Sequence, residues 1–83
     1  MQPIGTKITT PPAVGSVYLI THKRFGVAEV KVDSLDNAFA ICTIIKGTLR
    51  GMLPYNTWGP GTVKPLRMEF VEWYLVPKKN GGR

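Results

Sequence analysis

The side chains able to do acid–base, nucleophilic or metal chemistry are few and scattered. His22 is the only histidine, Cys42 the only cysteine, and the carboxylates are Glu29, Asp33, Asp36, Glu69 and Glu72. A nucleophile–base–acid constellation needs a base that titrates near neutral pH. His22 stands beside Lys23 and Arg24, and neighbouring cations disfavour the protonated ring and weaken a general-acid role. It reads as a surface turn residue, within reach of a phosphate at most, and needs no catalytic explanation. The carboxylates form no close metal-ligand cluster along the chain, and one histidine adds little, so neither metal nor cofactor is implied. Gly59-Pro60-Gly61 lacks the Gly-x-x-x-x-Gly-Lys-Ser/Thr spacing of a phosphate loop and is followed by no strand-to-helix passage; it reads as a turn. Cys42 sits in the apolar run Ala38 to Ile45, where a free thiol behaves as a small buried hydrophobe. A lone cysteine also excludes an internal disulfide. The expectation is a chain with no enzymatic activity and no small-molecule substrate.

Binding chemistry is better represented. Eleven Lys and Arg against five Asp and Glu leave a formal net charge of +6 on 83 residues. That bias favours an acidic partner: nucleic acid, an anionic membrane or an acidic protein surface. Six of the eleven form three groupings, Lys23 with Arg24, Lys46 with Arg50, and Lys64 with Arg67. Tyr55 and Trp58 lie between the second and third. Cations for the backbone and aromatic faces for base stacking are the general recipe for holding single-stranded nucleic acid. Tyr55 and Trp58 have an alternative use as a lid folded back over the core, with the lysines merely solvated.

The elements that must position these groups read as strands and turns. Residues 15–22 are rich in β-branched and aromatic side chains. After Gly26 the pattern alternates, with Ala28, Val30 and Val32 on one face and Glu29, Lys31 and Asp33 on the other. Ser34 to Asn37 supply turn residues, and the run from Ala38 to Ile45 reads as a central strand covered on both faces. Lys46-Gly47 reads as a second turn, and 48–53 as a short strand or an extended loop. Pro54 to Gly61 forms a turn-rich excursion. From Leu66 the alternation resumes and changes phase at Phe70-Val71, which requires a bulge or a single helical turn between two short strands. Trp73, in phase with Val71 and Leu75, is expected in the core together with Val30 and Ile41, with Tyr74 pointing outward. No segment supports an α-helix, and β-formers dominate even Leu66 to Val76. Four to six short antiparallel strands with Gly and Pro turns, in so short a chain, imply an all-β small barrel.

The stretch Val14-Gly15-Ser16-Val17, followed by His22-Lys23-Arg24-Phe25-Gly26-Val27-Ala28-Glu29-Val30, resembles the opening of SH3-like and Tudor-like small barrels. More narrowly it is similar to the KOW-type hairpin of transcription and ribosomal proteins. It is likewise similar to the Tudor-like domain of bacterial DNA helicases and to the polymerase-binding domain of transcription-repair factors. The resemblance implies a binder of RNA, DNA, modified peptides or polymerase subunits. Ala28 departs from it, standing where several of these families carry a second glycine. In such a hairpin Gly26 supplies a positive backbone angle and Phe25 caps one end of the barrel.

The organisation expected is an N-terminal Pro-rich arm over 1–12, in which only Ile4 and Ile8 can pack, a barrel over 13–77, and a flexible basic tail over 78–83. No basic-then-apolar leader is visible, and the longest apolar run is too short to cross a bilayer, so an intracellular (cytoplasmic) chain without a membrane partner is expected. The leading functional expectation is nucleic-acid binding, DNA or RNA, through Lys23, Arg24, Lys46, Arg50, Tyr55, Trp58, Lys64 and Arg67. The rival is an adaptor or inhibitor docking on an acidic surface of a larger enzyme such as a polymerase or nuclease. A third is a structural subunit whose arm orders against a neighbour.

Overall fold

The computed structural model describes residues 6–51, 53 and 55–76. Seven strands follow one another: β1 (Val17–His22), β2 (Gly26–Asp36), β3 (Phe39–Gly47), β4 (Leu49–Arg50), β5 (Thr57–Trp58), β6 (Val63–Arg67) and β7 (Val71–Leu75). Five of them make one antiparallel sheet in the order β6-β3-β2-β1-β7, and β4 pairs with β5 as a separate hairpin. A single 3-10 turn, Met68–Phe70, joins the two end strands β6 and β7. That turn is the physical cause of the phase change after Phe70: three residues wound at the tighter pitch rotate the following strand so that Val71 and Trp73 face the core. No described residue is α-helical, and no helix among the described residues is long and apolar enough to cross a membrane.

The alternation after Gly26 has a direct consequence. Ala28, Val30 and Val32 are all buried, and they meet Ala40, Cys42 and Ile44 from β3, Ile20 from β1 and Trp73 from β7. Tyr18 and Trp73 lie edge to face at 5.6 Å between ring centroids, the arrangement favoured by the aromatic quadrupole. Tyr74 points the other way and donates its hydroxyl hydrogen to Glu72 at 2.9 Å.

Three expectations about β2 and β3 are corrected. Ser34, Leu35 and Asp36 belong to β2, and the turn is the pair Asn37-Ala38, with Asn37 at φ 54°. Asn tolerates that left-handed conformation better than other non-glycine residues, which is why the chain reverses there. The run from Ala38 to Ile45 is covered on one face only. Ala40, Cys42 and Ile44 are sealed, whereas Ile41 is half-buried and Ile45 is exposed. Ile41 therefore lies on the opposite face from Val30 and Trp73, and Cys42 holds the position expected of it. Adjacent strand residues point to opposite faces, and this sheet has a packed layer on one side alone. Lys46 and Gly47 likewise extend β3 instead of turning it.

The register between β2 and β3 slips between Glu29 and Val30 and again between Val32 and Ser34. Ile45 is the unpaired residue at the first irregularity and Asp33 at the second. Each bulge bends and twists the pair, curling the longest strand of the sheet.

The two free edges are treated differently. Along β7, Ile8 N–H donates to Trp73 O at 2.9 Å and Leu75 N–H donates to Thr6 O at 2.8 Å, so the N-terminal arm covers that edge. Ile8 packs against the core and Pro12 is buried; Ile4 and the tail from Lys78 lie outside the described residues. Along β6, Ile44 N–H donates to Thr62 O and Met68 N–H to Ala38 O at the two ends of the ladder. Even-numbered residues thus turn their backbone groups toward β3, and Val63, Pro65 and Arg67 turn theirs outward. Pro65 removes the middle donor from that outward row, which blunts strand-to-strand pairing with another chain.

Candidate functional site

A cleft of about 670 Å³ opens where the β1–β2 turn, the β4–β5 hairpin, β6 and the 3-10 turn converge. Its wall is a row of rings. Phe70 meets His22 edge-on at 6.0 Å, His22 stacks on Phe25 at 4.1 Å with 13° between planes, and Phe25 meets Trp58 at 5.4 Å and 60°. Arg24, Lys64 and Arg67 bring the positive charge to this wall.

Each ring is placed by a local cause. Gly26, at φ 103°, closes the β1–β2 turn with a conformation L side chains rarely adopt, and the turn projects Phe25 over the sheet end. Leu49 anchors β4 by complete burial, and Arg50 N–H donates to Phe25 O at 2.9 Å. Trp58 pairs across the hairpin with Leu49 and packs partly against the core. Gly51 permits this: a Cβ there would stand 2.7 Å from Asn56 Cβ and 2.8 Å from Trp58 Cη2.

His22 corrects the sequence reading most clearly. It is not a surface residue: only 6% of it is exposed. Its Nδ1 accepts from Arg24 N–H at 3.0 Å and from Phe25 N–H at 3.2 Å, so the ring pins the turn from inside. Burial, then the charges of Lys64 and Arg24, hold its pKa below the ordinary imidazole value. Cys42, sealed in the core, has its thiol pushed up to about 12 by burial, with the Asp33 charge a smaller cause.

The eight positions singled out in the sequence divide. Arg24, Trp58, Lys64 and Arg67 line the cleft. Lys64 Nζ lies 4.0 Å from the Trp58 ring centroid and 5.2 Å from that of Phe25. Arg67 reaches the rings of Phe39 and Phe70 at 5.9 and 5.8 Å and pairs with Glu69 at 2.9 Å. Lys23, Lys46, Arg50 and Tyr55 do not line it. Lys46 stands opposite Glu29 in the β2–β3 register, and Tyr55 is 77% exposed. Phe39 and Phe70, absent from the sequence-derived set, also line the cleft, as do His22 and Phe25. Their signal was present as aromatic residues flanking the two turns, but nothing local in the sequence tells a core ring from a cleft ring.

Of the five carboxylates, Glu69, Glu72 and Asp33 have side-chain partners. Glu72 accepts from Tyr74 and pairs with Lys7 at 3.4 Å, and these contacts hold its carboxyl below the usual range. Asp33 accepts from Thr43. Among the described residues no three His, Cys, Asp or Glu side chains come together as a metal-binding group.

Comparison with protein-family models, with curated proteins and with solved structures found no match to this chain. The fold stands on its own as a small all-β domain: a five-stranded antiparallel sheet with an added hairpin.

Proposed function

We propose that this chain is a non-catalytic binding module that holds single-stranded nucleic acid in the aromatic cleft. The observation that carries the reading is the juxtaposition of Phe25, Trp58 and Phe70 with Arg24, Lys64 and Arg67 around one concavity. Flat rings offer faces to unstacked bases, and the cations track the phosphates between them. The net charge of +6 adds a long-range attraction that raises encounter rates with a polyanion. In this reading the curled sheet is an SH3-like barrel, with β7 returning beside β1 and the 3-10 turn bridging the remaining gap to β6. The hairpin of β1 and β2 then plays the KOW- or Tudor-like part, with Phe25 over the barrel end.

The rival is a protein with an acidic surface. The feature that favours it is the apolar content of the cleft mouth, where Phe39, Leu53 and Pro65 stand beside the outward row of β6. Fluorescence anisotropy on short labelled DNA and RNA oligonucleotides at low salt tests the first reading. Binding in the micromolar range or tighter, weakening linearly in log–log with added salt, supports it. Absence of binding above the millimolar range ends it. Retention of one stoichiometric protein from nuclease-treated lysate then supports the adaptor.

A further inference from the structure

His22 has a consequence beyond pinning its turn. Two backbone N–H groups point at Nδ1, so that nitrogen must present its lone pair, and the neutral ring carries its proton on Nε2. His22 lines the cleft, and no described residue accepts from Nε2. No fully buried side-chain nitrogen or oxygen among the described residues lacks a partner, so Nε2 keeps some exposure, at a residue that lines the cleft. Neither moving the proton to Nδ1 nor flipping the ring is possible without surrendering both turn bonds. It is a fixed donor.

Two cations share the cleft with this donor. Arg24 lines the cleft and follows His22 in the same turn, and Lys64 lies across it over the Phe25 and Trp58 rings. Both are close enough for their fields to disfavour a charge on the imidazole. Neither has a carboxylate within ion-pair distance among the described residues, in contrast to Arg67, which Glu69 neutralises. Two unneutralised cations beside a fixed neutral donor are mutually repulsive unless an anion joins them.

We infer that the His22 Nε2–H, Arg24 and Lys64 form an anion subsite at one end of the cleft, which takes a phosphate group of the bound strand. This rests on the nucleic-acid reading for the identity of its ligand, but the subsite itself is a property of three side chains. Lys64 links it to the stacking wall. In the free protein its ammonium covers one face of Trp58, and drawing it onto a phosphate uncovers that face for the adjoining base. The same arrangement disfavours cationic ligands, because Lys64 already holds the position over the ring that a second cation would need.

The test is a pair of titrations on ¹⁵N-labelled protein, one with a ten-residue oligodeoxythymidine and one with pyrophosphate. They are followed at the His22 Nε2 and Trp58 indole signals. The oligonucleotide is expected to move both signals, and pyrophosphate to move His22 Nε2 at saturation. Arg24→Gln, an exposed position that leaves the turn backbone in place, is expected to weaken oligonucleotide binding about tenfold. It is also expected to reduce the salt slope by about 0.7. If the oligonucleotide binds and moves the Trp58 indole while His22 stays still and Arg24→Gln binds like wild type, the subsite is wrong and the stacking reading survives. If pyrophosphate moves His22 and the oligonucleotide does not bind, the subsite stands and the nucleic-acid reading falls. Silence in both titrations overturns both.

Discussion

The Lys64 ammonium lies 4.0 Å from the centre of the Trp58 ring, so the aromatic face best placed in the cleft is already in contact with a cation. Such a contact is worth about 0.5–1 kcal/mol at an exposed site, little enough for a polyanion to break. Trp58 also leans on the core, so it both packs and lines the cleft. Two replacements separate these parts. Trp58→Leu keeps apolar bulk against the core but removes the π face. It is expected to cost about 1–3 kcal/mol of oligonucleotide affinity with the salt slope unchanged. Trp58→Tyr is expected to retain most of the affinity. Anisotropy titrations over a range of salt, beside thermal melts, read both; equal affinities for the Leu and Tyr variants would remove stacking from the account.

Gly51→Ala reports on how the hairpin seats Trp58. The added methyl would meet Asn56 Cβ at 2.7 Å and Trp58 Cη2 at 2.8 Å, so the ring or the hairpin must shift. Overpacking of this kind costs about 1–3 kcal/mol, which for a domain this size lowers Tm by about 4–8 °C per kcal/mol. A melt unchanged from wild type would show that the hairpin yields freely.

Stability should have a plateau bounded by two buried groups. His22 has its folded pKa lowered, chiefly by burial. Its contribution is complete above the unfolded value of about 6.5 and declines as pH falls from there through the folded value. Cys42 behaves oppositely: its thiol is raised from 9.0 to about 12, so its contribution is complete below 9.0 and declines as pH rises toward 12. Denaturant midpoints measured from pH 5 to pH 10 should be highest between the two limits. In His22→Gln the acid-side decline through pH 6.5 should shrink, even if the variant is less stable overall. Cys42 should also react slowly with thiol reagents until the domain unfolds.

The phase of β3 is open to a simple comparison. Ile44 is 1% exposed and Ile41 half-buried on the other face. Ile44→Ala should cost roughly 2–5 kcal/mol, and Ile41→Ala about 1 kcal/mol. Urea unfolding of both variants decides it; a larger loss at Ile41 would reverse the assigned face.

Read alone, the residues determined the all-β class, the buried face of β2 and the sign of the surface. Period-two alternation from Ala28 to Val32 marks one face for burial whatever it packs against. The broken phase after Phe70 demands a bulge or a turn within the pattern, and Trp73 follows from that phase. The charge excess of +6 is a sum over side chains and needs no fold. Tertiary structure alone decided how these parts meet. Ile41 and Cys42 are equally apolar neighbours, and only the absence of a second packed layer leaves the first half-exposed. His22 has the composition of a surface turn around it, yet two backbone N–H groups from its own turn and the Phe25 ring draw it inside. Lys64 and Arg24 are forty residues apart in sequence. Their convergence on one ring depends on β6 pairing with β3 and the hairpin folding over the sheet end, contacts that no local pattern encodes.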